Sequence, residues 1–171
     1  MANLLDGLEV VIKRTDTPEK FFRELQKRGS EKGVGGVERW EDGSHLDFNR
    51  IISFDEREPE RDGPYEVIIR INLNEERRSV ADLISNPPIR QVGSATVLEV
   101  LALLLKISEM DSLAKIDALK PFVGSAILCP GSILSDNAVV GFARKNLLMR
   151  AYWMAMTCVA PYFDIKLWRK L

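Results

Sequence analysis

Two aspartates and a lysine late in the chain, Asp136 and the Asp164-Ile165-Lys166 triplet, are of types that can do hydrolytic chemistry. Two carboxylates would hold Mg²⁺ and the lysine would orient the attacking water, which is the chemistry of a Mg²⁺-dependent nuclease. On a strand, residues two apart share a face, so Asp164 and Lys166 can act on one ligand. The plainer reading is a turn aspartate at Asp136 and a charge pair on an edge strand, and it is preferred.

A second set of residues suits binding. Tyr152, Trp153, Tyr162, Phe163 and Trp168 are interleaved with Arg150, Lys166, Arg169 and Lys170. Rings that stack and cations that meet phosphates would take single-stranded nucleic acid, with Arg150, Lys166, Trp168, Arg169 and Lys170 as its contacts. Against this, rings at such positions usually pack in a core, and Lys or Arg on a terminal strand guards an open edge.

The other candidates are weaker. Asp55, Glu56, Glu58, Glu60 and Asp62 lack the spacing of a calcium loop, and Arg57 and Arg61 offset their charge. They read as a solvated loop. Gly33, Gly35 and Gly36 neither follow a strand nor open a clear helix, which argues against a dinucleotide site. Cys129 and Cys158 are too few for a disulfide framework, and a nucleophilic thiol would have only His45 as its base. That lone histidine sits in the turn-like Asp42-Gly43-Ser44-His45, so a histidine-based zinc site or a di-histidine motif is not expected. No metal and no cofactor is implied.

The elements that must position these groups are legible in part. Leu8 to Arg14 reads as a strand with Leu8, Val10 and Ile12 on one face. Thr17-Pro18-Glu19 has the form of an N-cap followed by proline at the first helical position. The helix it opens, 18–28, carries Phe21, Phe22 and Leu25 as its stripe and a Glu24–Arg28 pair, and Gly29 is expected to stop it. The alternation predicts strands over 46–54 and 65–73. Their turn-rich link favours an antiparallel pair between them.

Ser79-Val80-Ala81-Asp82 predicts a short helix over 79–85, ended by Asn86-Pro87-Pro88. Thr96-Val97-Leu98-Glu99 is a fuller capping box and opens a helix over 96–107. That helix is apolar nearly all round, with Glu99 and Lys106 on one narrow stripe, so it is expected at the centre of the fold. A fourth helix is expected over 112–120. Residues 123–128, 138–142, 146–153 and 163–168 read as strands or buried runs, with turns at Pro130-Gly131 and Asp136-Asn137.

In the C-terminal half, Ala95-Thr96, Glu99, Leu101-Ala102, Gly124-Ser125, Leu147-Leu148, Trp153 and Lys166-Leu167-Trp168-Arg169-Lys170 form a pattern. Residues 89–171 resemble in this pattern small uncharacterised bacterial proteins, notably of candidate-phylum bacteria. Cys129-Pro130-Gly131 departs from it. The family has no known activity, so the resemblance implies a bacterial protein and no reaction.

With 171 residues, 46% of them hydrophobic and 29% charged, the chain has the balance of one globular domain, 1–171. The net charge is −1, so no global field draws it to a polyanion. The charge is uneven, however. Residues 1–100 hold 15 basic and 20 acidic side chains, and residues 101–171 hold 9 and 5. The start lacks the form of a signal peptide, and the longest apolar run, Val100 to Leu105, cannot span a bilayer. A cytoplasmic protein with reduced thiols and no membrane contact is expected.

The sequence therefore predicts an α+β fold, a largely antiparallel sheet with three to four helices packed on one face. The leading functional expectation is a small non-catalytic binding or regulatory module with a protein partner or a homo-oligomeric contact. A Mg²⁺-dependent nuclease and a single-stranded nucleic-acid binder are the alternatives.

Overall fold

A computed structural model describes residues 8–12, 16–32, 37–39, 51–53, 65–73, 78–85, 93–94, 96–111, 114, 126–134, 138–145, 148–155 and 162–170. In chain order these form β1 (Leu8–Ile12), α1 (Pro18–Lys32), β2 (Val37–Arg39), β3 (Ile51–Ser53), β4 (Tyr65–Leu73) and α2 (Val80–Ser85). β5 (Gly93–Ser94), α3 (Val97–Ser108), β6 (Ala126–Leu134), β7 (Ala138–Lys145), β8 (Leu148–Ala155) and β9 (Tyr162–Lys170) follow. Helices and antiparallel strands thus combine as expected for α+β. The one sheet of the sequence reading is instead two, a four-stranded sheet of order β1-β4-β9-β5 and a five-stranded sheet of order β2-β8-β7-β6-β3. Every pairing is antiparallel except β2 with β8.

The expected pairing of the strands at 46–54 and 65–73 does not form. β3 pairs with β6 in the second sheet, while β4 lies between β1 and β9 in the first. β4 instead takes its partners from opposite ends of the sequence.

The core lies between the sheets, around α3. Val97, Leu98, Val100, Leu101, Leu103 and Leu104 are buried in one cluster with Val10 and Ile12 of β1, Phe22 and Leu25 of α1, and Ile127, Cys129, Val140 and Phe142 of β6 and β7. This explains an apolar helix surface with so little polar interruption. One side meets β1 and α1, another meets β6, and only Lys106 and Glu109 near its end are exposed. The middle of the second sheet is covered on both faces, since Leu128 and Val139 are buried along with their neighbours Cys129 and Val140.

The helix starts follow the local chemistry. Thr17 Oγ1 accepts from Lys20 N at 3.2 Å, ahead of Pro18. Ser79 Oγ accepts from Asp82 N at 3.2 Å and caps α2. Asp111 Oδ1 accepts from Ala114 N at 3.0 Å, the geometry of a cap, where the helix expected over 112–120 would begin; the rest of that helix lies outside the described residues.

Gly29 does not end α1, which runs to Lys32. A helical glycine costs about 1 kcal/mol relative to alanine, and tertiary contacts offset that. Arg28 donates to Glu24 Oε1 at 3.3 Å, as its spacing predicts, and also to Ser108 Oγ at 2.8 Å and Glu109 Oε1 at 3.4 Å on α3. Pro130-Gly131 is likewise no turn. β6 continues through it, with a register shift between Cys129 and Ile133 where the strand bulges.

Candidate functional site

β9 carries most of the residues singled out for chemistry, and its register decides which of them stand together. Against β4, Asp164 pairs with Ile71, Lys166 with Ile69, Trp168 with Val67, Arg169 with Glu66 and Lys170 with Tyr65. One strand further, Ile69, Val67 and Tyr65 pair with Leu8, Val10 and Ile12. Asp164 and Lys166 therefore share a face, as their spacing predicts. It is the face of Val10 and Ile12, which are buried against α1 and α3. Asp136, the second carboxylate of the nuclease reading, lies outside the described residues, as do His45, Cys158 and the acidic loop 55–62.

β9 is not an edge strand along its whole length. Gly93 and Ser94 of β5 pair with Lys166 and Ile165 on the side away from β4. The edge-guard explanation for the cations is thus replaced at Lys166. Arg169 stands in one row with Glu66 and Val11, on the face opposite Lys166, Trp168 and Lys170. Arg150 belongs to the second sheet, where it pairs with Glu38 of β2 and Ala143 of β7. The five positions of the nucleic-acid reading are thus distributed over two sheets, and those on β9 over two faces. Two of them, Arg150 and Arg169, stand in register with an acidic residue, an arrangement that stabilises neighbouring strands.

A group of polar side chains is buried where α3 begins. Thr96, Glu99 and Ser132 are all fully buried. Thr96 Oγ1 accepts from Glu99 N at 3.3 Å, and Glu99 Oε1 accepts from Thr96 N at 3.1 Å and from the Thr96 hydroxyl. Ser132, in the bulge of β6, accepts from Val97 N at 3.0 Å. The amides at the helix start are thus met within the core, which ties α3 to the second sheet. By spacing Glu99 shares a polar stripe with Lys106; in the fold it is buried as half of the capping box. Cys129, also buried, lies on the same strand as Ser132. Among the described residues no group of three or more His, Cys, Asp or Glu could hold a metal ion, and no helix is long and apolar enough to cross a membrane.

The residue that marks the best candidate surface is Val11, whose type and spacing point only to a strand. β1 is the end strand of the first sheet and pairs, among the described residues, with β4 alone. Val11 on this strand is 49% exposed. Its neighbours Val10 and Ile12 are buried on the other face, so the strand combines a firm seat in the core with an apolar contact point outside it. The alternation was visible in Leu8 to Ile12, but the end position of β1 depends on which strands pair. The chain matches no family model, no curated protein and no solved structure in comparisons with each.

Proposed function

We propose that the protein is a small non-catalytic binding module that receives an extended polypeptide segment along the outer edge of β1. The observation that carries this reading is Val11, half exposed on the end strand of a sheet. An end strand presents backbone N–H and C=O groups in the spacing that another strand needs. Main-chain hydrogen bonds then supply affinity, and alternate side chains of the incoming strand supply selectivity. A β-branched residue at such an edge favours pairing, where lysine or proline would discourage it.

The test is selection of peptides from a random display library on the immobilised full chain, repeated with Val11→Lys. Val11 stands in register with Glu66, so a lysine there meets an acid in its own sheet and the fold should hold. The expected result is enrichment of peptides with alternating apolar residues on the wild type and its loss on the variant. Enrichment that is indifferent to Val11→Lys, or no enrichment, rejects the edge reading.

A further inference from the structure

We propose that Lys166 of β9 is the counter-charge of the buried Glu99, and that the two act as an ionic latch holding the start of α3 on the first sheet. Glu99 is fully buried in the first turn of α3. A carboxylate taken out of water is costly unless hydrogen bonds and a cation compensate it. Thr96 supplies hydrogen bonds through its amide and its hydroxyl, and Glu99 is engaged by more than these bonds.

The sheet register brings Lys166 to this helix start. β5 pairs with β9 at Gly93 with Lys166 and Ser94 with Ile165, and two residues after Ser94 comes the Thr96 cap. Lys166 stands on the sheet face that carries Val10 and Ile12, which share one core cluster with α3. Its partner in the row is a glycine, which brings no side chain of its own to that face. The other cations are placed worse. Lys170 is on the same face but about 13 Å further along the strand, and β5 runs antiparallel, toward Asp164 and away from it. Arg28 is bound to Ser108 and Glu109 at the opposite end of α3. With Ser132 donating its oxygen to Val97 N from the second sheet, the latch would fix the helix start from both sheets, independently of the β1 edge. Asp164, two positions from Lys166 on the same face, is the competing acid.

The experiment is a double-mutant cycle in urea on the full chain, with Glu99→Gln, Lys166→Met and both together. Glutamine preserves the capping box, so its effect reports the charge. Each single variant leaves one charge of the pair behind and should raise the unfolding equilibrium constant about a hundredfold or more. The double variant has no charge left to compensate and should recover most of that loss. Lys166→Arg keeps the cation and should stay close to the wild type, which a position needed only for packing would not show. Additive losses around the cycle overturn the latch, and so does a Lys166→Met variant within about twofold of the wild type. Coupling of Lys166→Met to Asp164→Asn in place of Glu99→Gln assigns the lysine to the neighbouring acid and also overturns it. Where a single variant fails to fold, the double variant decides: a folded double variant supports the latch, and an unfolded one overturns it.

Discussion

Thr96, Glu99 and Ser132 show how much depends on a few polar atoms in an apolar setting. Each is fully buried, and together they meet the amides of residues 96, 97 and 99. Removing one partner leaves a buried donor without its acceptor, which costs more than the net value of the bond. Thr96→Ala and Ser132→Ala should each destabilise the protein by about 1–3 kcal/mol, read as a lower urea midpoint with an unchanged slope. A loss within ~0.3 kcal/mol in both would mean that water reaches this helix start. At the same scale, Asp164 and Lys166 stand in register on the sheet face that carries Val10 and Ile12. The binding-module reading expects no Mg²⁺-dependent cleavage of DNA or RNA by the wild type. Cleavage that disappears in Asp164→Asn at an unchanged melting temperature would replace that reading with the nuclease one.

At the scale of elements, α3 is the member on which the others rest. It meets α1, β1 and β6, and its side chains from Val97 to Leu104 are buried throughout. Leu104→Ala removes a side chain from this centre and should cost about 2–5 kcal/mol through lost transfer energy and the cavity left behind. A denaturant melt that moves by less than ~0.5 kcal/mol would place the helix at the periphery. The two ends of α3 are secured differently, by the capping box and Ser132 at the start and by Arg28 to Ser108 and Glu109 near the end. The Arg28 clamp is partly exposed, so its ion pairs contribute little compared with the buried start.

For the whole molecule, the five positions singled out for single-stranded nucleic acid do not fall on one strand face. Arg150 lies in the second sheet, and Arg169 lies on the face opposite Lys166 and Lys170 in the first. A stacking groove for single strands needs cations and rings along one path. Fluorescence titration with labelled single strands at low salt should therefore show no saturable binding at tens of micromolar protein, roughly the weak end of non-specific affinity. Tight binding with a steep log–log salt slope, weakened alike by Arg150→Glu and Arg169→Glu, would show that these positions converge on one ligand after all.

What the sequence determined by itself was local. The capping box at Thr96–Glu99, the cap at Thr17, the Glu24–Arg28 pair and the alternation in β1 and β4 each depend on residues a few positions apart, where geometry follows from the helix or strand period. The burial of α3 was legible too, because a surface apolar nearly all round has no stable place in water. The tertiary structure alone decided the pairings. Ser132 reaches Val97 across 35 positions, β3 and β4 separate into different sheets, and α1 passes through Gly29 while β6 passes through Pro130-Gly131. At Gly29 long-range contacts outweigh a local preference of about 1 kcal/mol. The candidate site belongs to the second kind. Val11 faces away from Val10 by strand alternation alone, but only the sheet order places β1 at the end, where that exposed valine can meet another strand.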